Sequence, residues 1–97
     1  MAKPGYWVVC YKSVSNSATF SEYVKLAGTA LEALGGRVVV LGKPAKAQEA
    51  GVDQLVVIVE FESLEKAVAA YESDLYRAAL KVLDHAAERD FRIVEAR

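Results

Sequence analysis

Four short segments of this chain, residues 6–11, 37–41, 55–61 and 91–94, are apolar on both faces and rich in β-branched and aromatic side chains. A strand with one face in water alternates apolar and polar residues, and these mostly do not. The sheet they build therefore needs cover on both sides. Two amphipathic helices are written into the sequence, enough for one side. A chain of 97 residues has nothing left for the other. The cover it implies is a second copy of itself.

That length makes one domain, residues 1–97, with little room for a linker. At 54% hydrophobic and 26% charged residues, the composition is that of a folded chain rather than a disordered one. The net charge of −1, with no block of like charges, lacks the electrostatic footprint of a nucleic-acid-binding module. The longest apolar run, residues 55–59, falls far short of a bilayer span. No signal-peptide core precedes the first strand and the single cysteine makes no internal disulfide, so a reducing cytoplasm is the expected compartment.

Phe20, Tyr23, Val24, Ala27, Leu31 and Leu34 follow helical spacing and form one apolar stripe. Asn16 or Ser17 can cap this helix, or Thr19 with Glu22 can form a capping box, and Gly35-Gly36 ends it. Ser63 can cap a second helix with the stripe Leu64, Ala67, Val68 and Tyr71. Ser73 reads as a further cap, opening a turn or two with Tyr76, Ala79, Leu80 and Leu83 in the same spacing. Strand, helix, strand, strand, broken helix, strand is the split βαβ, or ferredoxin-like, arrangement, an α+β fold. Residues 43–53, punctuated by Pro44 and Gly51, read as a long hairpin arm in which residues 45–49 extend strand two after a bulge.

Alternate residues of a strand share a face. The bulky uncharged sets, Val57, Val59 and Phe61 in strand three and Phe91 and Ile93 in strand four, are assigned to the helix side. Glu60, Arg92 and Arg37 then point to the opposite face, which Val56, Ile58, Val39, Leu41 and Val94 share and a second subunit covers.

Gly5-Tyr6-Trp7-Val8-Val9, Gly35-Gly36-Arg37, Glu49-Ala50-Gly51, Val57-Ile58-Val59-Glu60-Phe61, Tyr71-Glu72-Ser73-Asp74-Leu75-Tyr76 and Ile93-Val94-Glu95 occur in that order. Together they resemble domain-of-unknown-function family 1330, within the dimeric α+β barrel superfamily. The resemblance runs over essentially the whole chain. It implies a ferredoxin-like βαββαβ protomer whose sheet packs against that of its twofold mate to form a dimeric α+β barrel, and it implies no reaction. Two positions depart from the family's habit. Glu62-Ser63 stands where proline commonly follows strand three, and Leu83 where an arginine often closes helix two.

Glu60 with Arg37 or Arg92 is the leading constellation, because a carboxylate and a guanidinium on a covered face pair rather than stay buried alone. The pair is either a structural ion pair that fixes register or interface, or a polar patch in a barrel-face cavity. In the second case Arg binds an anionic group and Glu acts as base or acceptor. Tyr71, Ser73 and Tyr76 bracket the helix break, where hydroxyls and free amides can face a pocket mouth. His85, the only histidine, reads as a helix-end residue beside Asp84, and one histidine builds no His-rich metal site. Cys10 reads as a small buried thiol. No phosphate loop, nucleophile elbow, CxxC pair or metal-binding helix is written in the chain, and no cofactor is implied. The expected function is a homodimer that binds a small metabolite in a barrel-face cavity without turnover. The alternative is a cofactor-independent oxygenase or isomerase acting on a small aromatic or acidic metabolite.

Overall fold

The computed structural model describes residues 2–97. Strand β1 (Gly5–Val14) leads into helix α1 (Ser17–Leu34); β2 (Arg37–Gly42) and β3 (Val56–Phe61) follow, then α2 (Leu64–Glu72), α3 (Asp74–Leu83) and β4 (Ala87–Glu95). The strands form one antiparallel sheet in the order β2-β3-β1-β4, which is the ferredoxin-like topology. Asn16 caps α1, its side chain accepting from the Thr19 amide at 3.0 Å, and Gly35 closes it in the left-handed conformation at φ 80°. Ser73 separates α2 from α3 and serves both. Its hydroxyl donates to the Ala70 carbonyl at 2.7 Å and accepts from the Tyr76 amide at 3.2 Å.

The core lies between the helices and one face of the sheet, where Trp7, Val9, Tyr11, Val59 and Phe61 meet Tyr23, Ala27 and Leu31 of α1 and Tyr76, Ala79 and Leu83 of α3. Val57, Phe91 and Ile93 pack against the same cluster, so the bulky sets of β3 and β4 take the helix side as their parity predicts. Trp7 is its centre at 1% exposure. Its indole donates to the Ala67 carbonyl at 2.8 Å, and the rings of Phe61, Tyr76 and Phe91 stand 5.0, 4.7 and 5.2 Å away. A side chain at Gly5 would meet the backbone of Ser63 and Leu64 at 2.6 Å, so glycine there lets α2 start directly over β1.

β2 departs from strict alternation. Arg37 and Val38 oppose Glu60 and Val59, but Val40, Leu41 and Gly42 oppose Ile58, Val57 and Val56, which leaves Val39 as an extra, bulged residue. Counting by twos places Leu41 on the open face with Arg37. The bulge turns Leu41 to the helix side and gives Val40 the open one. Residues 43–55 form no strand, so the expected extension of β2 through residues 45–49 is absent. Pro44 offers no amide to a ladder, and the Gly51 amide closes a turn on the Gln48 carbonyl at 2.8 Å.

β4 begins at Ala87 rather than Phe91, because β1 runs on to Val14 and pairs with it. Asp84 turns the chain at φ 45°, and the Ser15 amide donates to the Ala86 carbonyl at 2.7 Å. His85 therefore lies in a turn beyond α3, with its side chain 98% exposed. Cys10 is not buried: it stands on the open face between Val56 and Asp90, exposed in the protomer. None of the described helices is long and apolar enough to cross a membrane.

Candidate functional site

The open face of the sheet presents Tyr6, Val8, Val40, Val56, Ile58 and Val94, joined by register, with charged residues around them. Glu60 resolves its choice of partner here. β2 lies beside β3 and β4 does not, so Arg37 donates to the Glu60 carboxylate at 2.7 Å. The Tyr6 hydroxyl donates to its other oxygen at 3.0 Å. Arg92, on the far side of β1, instead donates from Nε and Nη2 to the Asp90 carboxylate at 2.9 and 3.1 Å. Hydrogen bonds from Arg37 and then Tyr6 hold the Glu60 carboxyl below its ordinary value. A carboxyl so depressed adds stability above its unfolded pKa and loses that contribution as pH falls through the folded value. The difference in Tm between the native chain and Glu60→Gln is therefore expected to be present at neutral pH. It narrows on acidification below the ordinary carboxylate range, as thermal melts across pH will measure.

The other candidates stand in the helix layer. Tyr71 packs on Trp7, Tyr76 and Phe91, and Ser73 is occupied by its two caps. Tyr76 alone of the six faces a cavity. That cavity, about 270 Å³, runs between α1 and the helix side of the sheet. It is thus on the opposite side of the sheet from Glu60, Arg37 and Arg92. Exposed Val24 and Gly28 of α1 and Val38 and Leu41 of β2 mark its mouth; Leu55, Val57, Ala27 and Leu31 form its walls; Tyr11, Tyr23, Tyr76 and Arg89 form its polar inner end. Leu41 reaches this mouth because of the Val39 bulge.

Arg89 and Tyr23 are the cavity residues that the sequence did not single out for chemistry. Arg89 pairs with Tyr11 across β1 and β4, and its Nη1 donates to the Tyr23 hydroxyl at 3.0 Å and the Tyr76 hydroxyl at 3.3 Å. Those two hydroxyls are hydrogen-bonded to each other. The guanidinium also lies 5.7, 5.3 and 5.1 Å from the ring centres of Tyr11, Tyr23 and Phe91. Burial works against the Arg89 charge, but the facing oxygens of Tyr23, Tyr76 and Tyr11 outweigh it and hold the group protonated. Burial first, then Tyr76, pushes the Tyr23 phenol far up against the pull of Arg89, so it remains a neutral donor and acceptor. Among the described residues, no carboxylate, imidazole or thiol lines the cavity.

The model of the family described as Domain of unknown function (DUF1330) matches residues 4–97. No curated protein sequence matches the chain. Among solved structures, the chain is similar to a protein of unknown function from Rhodopseudomonas palustris at 21% identity, TM-score 0.70, over 99% of this chain and 82% of that one. It is also similar to a dimeric ferredoxin-like protein of unknown function from Thermobifida fusca, at 16% identity and TM-score 0.59, over 99% and 93% of the two chains. The cofactor-independent oxygenase SnoaB from Streptomyces nogalater aligns at 13% identity and TM-score 0.63, over 99% and 95%. At these identities the likeness is one of fold.

Proposed function

Because the chain belongs to the DUF1330 family, whose description names no activity, we propose its role from its geometry: a cytoplasmic homodimer in which each protomer holds one small, largely apolar metabolite between α1 and the sheet. The observation that carries this reading is the cavity of about 270 Å³, apolar along its walls and polar at one end. That is the usual composition of a small-molecule site, at a volume just below the usual range of about 300–1,000 Å³. The open sheet face with Val8, Ile58, Val40 and Val94 supports pairing with a second copy. The Arg37–Glu60 and Asp90–Arg92 pairs then act as charged markers of register on that face.

The likeness to SnoaB supports a second reading, a cofactor-independent oxygenase. Against it stands the cavity lining, which among the described residues offers no side chain of ordinary basicity to take a proton from a substrate. Binding without turnover is the better fit.

Gly28 provides the test. It lies in the interior of α1 at the cavity mouth, and a Cβ added there meets nothing within 4 Å. Glycine in a helix interior costs about 1 kcal/mol relative to alanine, so a larger residue is compatible with the helix. Gly28→Phe is expected to keep or raise the Tm while closing the mouth. Native mass spectrometry and titration with small aromatic and short-chain alcohols, amides and acids, followed by Trp7 fluorescence, should show binding to the native chain and at least a tenfold loss in Gly28→Phe. Equal binding by both would place the ligand elsewhere.

A further inference from the structure

We propose that the metabolite is a small apolar monocarboxylate, with its carboxylate at Arg89 and its hydrocarbon body toward Leu41. This inference rests on the reading of the cavity as a ligand site and specifies the class of ligand. Arg89 is a half-buried cation at the inner end of an apolar cavity. Among the described residues, no carboxylate lies within 4 Å of it, whereas Arg37 and Arg92 each hold one. Two phenols, those of Tyr23 and Tyr76, are engaged by Nη1, and the Tyr11 phenol faces the guanidinium beside them. Nε and Nη2 make no hydrogen bond of good geometry among the described residues, and no buried side-chain nitrogen there is left unpartnered, so both remain accessible from open space.

Shape adds to charge. A guanidinium offers paired N–H donors in a planar fork that matches a carboxylate's two oxygens. The rings of Tyr11, Tyr23 and Phe91 pack around the guanidinium and hold its plane. The Tyr23 and Tyr76 hydroxyls fix Nη1 and leave the opposite edge of the fork free. A phosphate dianion would bring more charge than one arginine neutralises, in walls whose described residues supply no other cation. A neutral ligand would leave the arginine without a counter-charge. A monocarboxylate with an aromatic or short alkyl body satisfies both ends of the cavity.

Matched pairs of probes test this on the unmodified protein: 3-phenylpropionate against 3-phenylpropanamide, and hexanoate against hexanamide, by isothermal titration at neutral pH. The acids are expected to bind at least tenfold more tightly than their amides. In Arg89→Gln that preference should vanish. Equal binding of acid and amide to the native protein overturns the carboxylate assignment and leaves the cavity reading standing. An acid preference that survives in a folded Arg89→Gln assigns the anion to a different group and overturns it as well. Failure of every acid and every amide to bind removes the ligand site itself, and the inference with it. The acid–amide contrast needs no variant, so it holds even if Arg89→Gln does not fold.

Discussion

Trp7→Ala is expected to lose about 3–5 kcal/mol, the cost of deleting a fully buried large aromatic. Small domains are stable by about 5–15 kcal/mol in total, so a large share of this protein's margin would go. Three effects converge on the residue. Its indole fills the space between β1 and α2, its ring is the hub around which Phe61, Tyr71, Tyr76 and Phe91 pack, and its N–H satisfies the Ala67 carbonyl. Trp7→Phe separates them. It retains most of the ring contacts but removes the indole donor from the Ala67 carbonyl, which keeps its partner within the α2 helix, at a cost of about 0.5–1.5 kcal/mol. Each kcal/mol shifts the Tm of a domain this size by about 4–8 °C. Thermal unfolding followed by circular dichroism should therefore rank native above Trp7→Phe above Trp7→Ala, with the last barely folded at room temperature. Equal losses in the two variants would shift the credit from ring packing to the single hydrogen bond.

Ile58→Asp is expected to convert the proposed dimer into a folded monomer. Ile58 sits in the middle of the open face, with Val8 on one side and Val40 on the other. Val40 and Val94 are 40% and 44% exposed in the protomer, a degree of exposure unusual for strand valines in a finished surface. A stable interface buries about 800 Å² per partner, with its binding energy concentrated in a central apolar cluster. An aspartate at that centre places a carboxylate from each copy in desolvated surroundings without a partner, which costs several kcal/mol per ion. The same substitution leaves the helix side of β3 untouched, so Val59 and Phe61 keep their packing. Sedimentation velocity should report two chains for the native protein and one for Ile58→Asp, with unchanged far-ultraviolet circular dichroism. A native protein that sediments as a monomer at all concentrations would refute the pairing.

The elements that could be read from the sequence are those whose signal is local. The α1 stripe, the Gly35 stop and the double use of Ser73 each depend on neighbours within a turn or two, and they appear where spacing puts them. The facing of Glu60 and Arg92 was equally legible, because β3 and β4 alternate without interruption near them. The partner of Glu60 was not, since it depends on which strand lies next to β3, a property of the whole sheet. The register of β2 could not be read at all: three successive valines look the same whichever of them is bulged. The polar end of the cavity was hidden because residues 87–90 are mostly polar and carry no strand signature. One signal was available there. Stepping back by two from Ile93 and Phe91 reaches Arg89, a cation on the face otherwise filled with aromatic and aliphatic side chains.

The bulge at Val39 makes the length of β2 itself meaningful. The two surfaces of the sheet have different duties, and successive residues of β2 are dealt to them in turn. Adding a fourth residue to the run Val38, Val39 and Val40, with a single bulge kept, would re-deal the rest of the strand. Leu41 would leave the cavity mouth for the contact face and Val40 would take its place, whereas removing one valine would only straighten the strand and keep Leu41 opposite Val57. The run of valines thus sets a frame, much as codons do in a message: a one-residue insertion within it alters no chemistry locally, yet reassigns everything downstream to the other surface.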